Sequence, residues 1–173
     1  MGGMYSKSRS QPRKTGILNL LLKYPIRMKI IEPKSTEEFR KYYKLRYEVL
    51  RKPLGQPLGS EKDDREETSI HRMIIDEKTE ETLAVGRLQL NSEDEAQIRY
   101  MAVADELQGQ GIGSQIISSL EDIARGNGSK QMILQARGNA LQFYQNNGYK
   151  VVKKTHLLFD EIQHWLMRKE LES

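Results

Sequence analysis

The sequence predicts one α/β domain, a mixed and mostly antiparallel sheet with helices on both faces. Strand-like and helix-like segments follow one another in the order β-α-β-β-β-α-β-α-β-β. Two helical segments each carry a single apolar stripe, as elements laid on a sheet do. The length of 173 residues fits one compact domain, since domains usually run to about 100–200 residues.

Residues 29–31 read as a first strand, stopped by Pro33. Ser35-Thr36-Glu37-Glu38 is a capping box that starts a helix. Phe39, Tyr42, Tyr43, Val49 and Leu50 then recur at helical spacing, leaving Arg46 and Glu48 off the main stripe. Pro53 and Gly55 end it. Residues 54–67 pass from a Gly/Pro segment into a charge run, expected to be a solvated loop or short helix. A substrate-gating loop is the second reading of this segment.

Residues 73–75 and 82–90 flank turn residues and read as an antiparallel hairpin, which residues 96–103 extend. The segment 111–125 is a helix with Ile112, Ile116, Ile117, Leu120, Ile123 and Ala124 on one face. Gly126-Asn127-Gly128 supplies its stop. A short buried strand (132–134), a short helix (139–146) and strands at 149–153 and 164–169 complete the sheet.

The net charge of +4 is unevenly placed. Residues 1–30 hold seven Lys or Arg and no acid, leaving 21 basic against 24 acidic groups in the remainder. A mildly acidic body argues against nucleic acid as its partner. Residues 1–27 are expected to be a basic extension, with residues 28–173 forming the domain. Four readings of the extension stand: a flexible or appended tail, translation begun upstream of a start at Met28, a transit peptide, or an N-myristoylation signal at Gly2. No stretch approaches the ~20 apolar residues of a membrane span. Cysteine is absent, which removes disulfides, thiolate zinc sites and thiol nucleophiles and fits a reducing, cytoplasmic setting. The three histidines form no H-e-x-x-H pair, so no metal is expected.

The strongest chemical signal is Gln108-Gly109-Gln110-Gly111-Ile112-Gly113-Ser114, between a strand and a helix. Alternate glycines let the chain turn sharply and bring backbone amides to a ligand, and the helix start adds free N–H groups. Such a loop suits a pyrophosphate or another anion, and a simple strand-to-helix turn is the other reading. No Gly-Lys-Ser/Thr follows, so it is not a P-loop. A dinucleotide site needs G-x-G-x-x-G in a first βαβ unit and an acid some ~20 residues on; these are missing here.

The strand Ile98-Arg99-Tyr100-Met101-Ala102-Val103, this loop, and the segment Asn139-Ala140-Leu141-Gln142-Phe143-Tyr144-Gln145-Asn146-Asn147-Gly148-Tyr149 together resemble the GCN5-related N-acetyltransferase (GNAT) superfamily. The loop matches its Q/R-x-x-G-x-G/A motif and the last segment its N-x-x-x-F-Y-x-x-x-G-F/Y pattern. The resemblance implies a splayed central strand pair with acetyl-CoA as co-substrate in the wedge. It implies pantetheine contacts from the backbone of Met101, Ala102 and Val103 and from Asn139, with helix capping the other reading for Asn139. It places the pyrophosphate on residues 108–114. An amine of a small molecule or peptide then attacks the thioester directly, and a backbone N–H near Met101 or Ala102 stabilises the oxyanion.

Tyr144 matches the position of the acid that protonates the departing thiolate, packing against the sulfur being the alternative. For the base, Glu48, Glu161 and His164 are candidates, and His164 titrates in the useful range. Arg46 and Glu48, on a first-helix segment resembling a bacterial branch, either contact the acceptor or are surface charges. Asp105 either joins the site or shapes the loop. Relatives are often homodimers. The leading reading is an acetyl-CoA-dependent N-acetyltransferase. The second is a non-catalytic CoA-binding sensor or scaffold, and the third a nucleic-acid or membrane partner bound through the basic extension.

Overall fold

A computed structural model describes residues 26–172. The elements are β1 (Met28–Ile31), α1 (Thr36–Leu50), β2 (Ile70–Asp76), β3 (Thr82–Leu90), β4 (Glu95–Val103), α2 (Ile112–Gly126), β5 (Gln131–Arg137), α3 (Leu141–Asn146), β6 (Lys150–Leu158) and β7 (Ile162–Glu170). Short 3₁₀ turns precede α2 and α3 and follow α1. The expected order of strands and helices is the order found. Ile26 packs on the core and the Arg27 carbonyl accepts the Glu77 N–H at 2.8 Å. The readings placed on residues 1–25 lie outside the described residues.

The seven strands form one sheet in the order β1-β2-β3-β4-β5-β7-β6. Every neighbour is antiparallel except β4 and β5. That parallel ladder is short. It runs from Glu95↔Gln131 to Ile98↔Leu134 and stops there, although both strands continue. On the other side of β4 the ladder to β3 slips: Val85 faces Ala102, but Arg87 faces Arg99. One extra residue of β4 is therefore accommodated at Tyr100 and Met101, a bulge that bends the strand. Tyr100 carries it with φ of +52°, a conformation costly for a bulky side chain.

α1 begins as its sequence dictates. Ser35 accepts from the Glu38 N–H and the Glu38 carboxylate accepts from the Ser35 N–H, closing the capping box. Arg46 corrects the expected stripe: it is fully buried, one turn beyond buried Tyr42. The charge run also departs from a solvated loop, for Glu61 is 3% exposed and Asp63 and Glu66 turn inward to buried arginines. The strands of the last hairpin are longer than expected. β6 is an edge strand, largely exposed and shifted twice in register against β7, so no alternation marks its extent.

α2 lies on β3 through its expected apolar face. The contact is close because residue 86 lacks a side chain: a Cβ there would sit 2.6 Å from Ile116 Cγ2. Glu121, also buried on this face, accepts from Tyr149 Oη at 2.9 Å and from Lys169 Nζ at 2.7 and 2.9 Å. This ties α2 to β7 and pairs the buried charge of Glu121.

Gly86→Val is expected to lower the unfolding free energy by about 1–3 kcal/mol. Urea unfolding measures it, and an unchanged midpoint would mean that α2 shifts without penalty.

Candidate active site

Beyond Ile98 the edge of β4 that faces β5 has no ladder partner. The backbone of Ala102 and Val103 pairs with β3 on one side only, and Met101 lies in the bulge. On the open side the Val103 carbonyl takes the Gln108 side-chain amide at 3.2 Å. Gln108 also donates to Asp105 Oδ1 at 3.0 Å, so Asp105 shapes the loop.

The loop then crosses to α2. Gly109 and Gly111 have φ of +77° and +80°, which a residue with a Cβ adopts only under strain. Gly113 is needed for room: its Cβ would meet Phe143 Cζ at 2.9 Å and Met101 Cε at 3.2 Å. α2 has Gly111 at its N-cap and no side-chain cap, in contrast to α1. Among the described residues the N–H groups of Gly109, Gln110, Gly111, Ile112, Gly113 and Ser114 find no acceptor. A run of open amides at the positive end of a helix suits a diphosphate, and the donor set therefore fits CoA. Neither side chain of Gln110 or Asn139 blocks it: Gln110 Nε2 turns back to the Glu106 carbonyl at 3.2 Å, and Asn139 is exposed without a capping bond.

Tyr144 sits on α3, edge-on to Phe143 and Tyr149 at 5.0 and 6.0 Å between ring centres. Burial pushes its phenol up to about 12, with the Arg137 guanidinium opposing the shift. The hydroxyl therefore stays protonated throughout the working range.

His164, 6% exposed, lies on β7, the strand beyond β5, directly across from Arg137. Its Nδ1 is 2.9 Å from the Ile162 carbonyl, so Nδ1 carries the hydrogen and Nε2 keeps a lone pair. The ring stacks on His156 at 4.7 Å. Burial foremost, then His156, Arg137 and Arg51, hold His164 below its ordinary value of 6.5. Glu48 does not join this group. It is exposed on α1 and makes no side-chain hydrogen bond or ion pair among the described residues. Glu161 is exposed at the tip of the β6–β7 hairpin.

The cluster beneath the bulge is only faintly marked in the sequence. Arg46 and Arg87, both fully buried, meet Glu66: Arg46 Nη1 at 3.0 Å, Arg46 Nη2 in a still shorter contact, and Arg87 Nη1 at 2.7 Å. Arg87 also grips Asp63 with both terminal nitrogens, at 2.5 and 2.9 Å. The Tyr100 ring lies on this cluster, with the Arg46 guanidinium carbon 3.8 Å and that of Arg87 4.9 Å from its centre. Arg51 and Arg99 approach the same ring at 5.4 Å each. The sequence signal that existed was Arg46 at one turn from Tyr42, with the acids some twenty residues on.

Burial alone would raise the carboxyl groups of Asp63 and Glu66. The arginine hydrogen bonds and charges outweigh it, and both are held below the carboxylate range. Among the described residues no group of three or more His, Asp or Glu side chains could hold a metal ion, and no helix is long and apolar enough to cross a membrane.

A splayed parallel pair thus leads into an uncapped glycine loop that opens a helix. The sequence profile of the acetyltransferase (GNAT) domain matches residues 57–171, and the chain belongs to that family. It is an N-acetyltransferase by class. A curated relative, the uncharacterized N-acetyltransferase YjcF of Bacillus subtilis strain 168, is 28% identical over 143 residues, 83% of this chain and 100% of its own. Among solved structures, an acyl-CoA N-acyltransferase from Pseudomonas aeruginosa superimposes with a TM-score of 0.69 at 22% identity, covering 84% of this chain and 99% of that one. A GNAT acetyltransferase from Elizabethkingia anophelis with acetyl-CoA bound gives 0.65 at 17% identity, covering 83% and 98%.

Glu66→Gln leaves two buried guanidiniums short of charge and is expected to cost about 3–5 kcal/mol of stability in urea unfolding. The depressed carboxyls contribute stability that is complete above their unfolded values of about 4 and is lost as pH falls through the folded ones. Wild type should therefore weaken below about pH 4, and a matching loss on raising the pH above 7 would contradict this origin.

Proposed function

We propose that this protein transfers the acetyl group of acetyl-CoA directly to an amine of a small molecule or peptide. The observation that carries the reading is the open backbone edge of β4 running into the unpartnered amides of residues 109–114. The edge of Met101, Ala102 and Val103 receives the pantetheine arm as an added strand, with Asn139 as a side-chain partner. The amides of Gly109 to Ser114, positioned by Gln108, hold the diphosphate. Acetyl-CoA, when bound, supplies the activated acyl group.

The C–N bond forms at the carbonyl carbon and the C–S bond breaks. The amine loses a proton and the thiolate gains one. Tyr144, held protonated, donates its hydrogen bond to the departing sulfur and passes the proton as the C–S bond opens. His164 Nε2, the free lone pair of a neutral ring, accepts the proton of the amine, directly or through a water. Glu48 is the weaker candidate for this task because it faces solvent. A reducing, cytoplasmic setting suits the cysteine-free chain.

The test is thiol release from acetyl-CoA with a panel of amines. Tyr144→Phe is expected to lower kcat by about 10²-fold or more, with little change in the affinity for CoA. CoA binding without turnover on any acceptor would favour the sensor or scaffold instead. Because the base must be neutral, kcat/KM should rise with pH through a value below 6.5, and His164→Gln should remove that limb. A limb that persists in the variant assigns the proton to another group.

A further inference from the structure

Four guanidiniums, those of Arg46, Arg51, Arg87 and Arg99, gather on the α1 face around Tyr100, with Arg137 beside Arg51, and their carboxylates do not balance them. Arg46 and Arg87 are neutralised by Glu66 and Asp63, and Arg99 reaches Asp63 only at 3.8 Å. Arg51 and Arg137 have no carboxylate within ion-pairing distance among the described residues. Arg51, 7% exposed, donates Nε to the Ser60 carbonyl at 2.9 Å and Nη1 to the Leu50 carbonyl at 3.1 Å. Arg137 donates Nη2 to the same Leu50 carbonyl, also at 3.1 Å. Two guanidiniums thus converge on one oxygen at the end of α1.

The acids that could have joined them are occupied or turned away. Glu61 is buried and accepts the Gly59 N–H at 2.7 Å; its charge is felt by Arg51, but the two form no ion pair. Glu48 and Glu161 are exposed and pair with neither arginine. Each guanidinium offers five N–H donors. Among the described residues Nε and Nη1 of Arg137 have no acceptor, yet neither is sealed from solvent. Arg137 sits across from His164 on the β7 ladder, and its charge is felt by both His164 and the Tyr144 phenol. The pair therefore borders the place where the amine must stand. Capping the end of α1 accounts for one donor of each arginine and leaves the excess charge unexplained.

We propose that Arg51 and Arg137 hold an oxyanion of the acceptor, so that the amine acetylated here belongs to a molecule also carrying a carboxylate or phosphate. This rests on the acetyl-transfer reading above and names its substrate class. The reacting bonds are unchanged, and the anion takes no part beyond fixing the amine against the wedge. Arg is suited to the task because its planar fork matches a two-oxygen group.

The experiment compares matched acceptors in the thiol-release assay: an α-amino acid against its α-amide, and an aminoalkyl phosphate against its amino alcohol. At least one anionic member should exceed its neutral partner in kcat/KM by about 10- to 100-fold, the value of charge-assisted bonds. Arg137→Gln should erase that preference mainly through KM, and Arg137→Lys should restore it in part. CoA affinity reports whether each variant is folded, and the wild-type comparison stands if the glutamine variant is not. Neutral members used as well as anionic ones would overturn the proposal and leave the transferase reading intact. If no amine is acetylated, CoA-saturated protein is titrated calorimetrically with inorganic phosphate. Binding weakened at least tenfold in Arg137→Gln upholds the anion site, and no binding overturns it. Failure to bind CoA at all defeats the transferase reading instead.

Discussion

The buried contact between two arginines and two acids beneath Tyr100 is the constraint on which the wedge depends. Arg46 comes from α1, Arg87 from β3, and Asp63 and Glu66 from the loop between α1 and β2. The charges are shared, since Glu66 takes both arginines and Arg87 takes both acids, while Nε of each arginine is buried without a partner. The cluster presents a flat cationic bed to the Tyr100 ring, which repays part of the strain of a positive φ. With Tyr100 fixed, β4 keeps its extra residue and parts from β5 after Ile98.

The consequences divide between the two faces of the sheet. On the α2 side, parting leaves a free backbone edge that leads into an uncapped helix start, and both offer donors to an elongated anionic ligand. On the α1 side, the same bulge brings Tyr100 among arginines, with Arg51 passing from its ring to that of Phe159 at the hairpin tip. Tyr144 and His164 approach from the two hairpin-side elements. Arg137 acts electrostatically on both. In the proposed reading, one bulge thus separates cofactor from acceptor while keeping them within reach of each other.

Much of this was legible in the residues. The capping box at Ser35, the stripe of α2 and the glycine loop are local signals, decided by neighbours a few residues away, and the structure keeps them as read. The resemblance carried by the loop and the Asn139 to Tyr149 segment supplied the splay, which no periodicity could show. The buried charges were illegible for a physical reason. A run such as residues 61–67 looks solvated unless its arginine partners are known, and these lie on a preceding helix and on a strand twenty residues later. Tyr100 reads as an ordinary strand residue because its conformation is imposed from outside. Arg51 and Arg137 looked unremarkable because their significance is the lack of a partner.

The central question is whether the open β4 edge and the glycine loop receive CoA. Backbone amide exchange of the protein with and without CoA addresses this at residue level. The expected result is new protection at Met101 to Val103 and at Gly109 to Ser114, with the capped start of α1 unchanged. Tight CoA binding that leaves the exchange of both segments unaltered would contradict it.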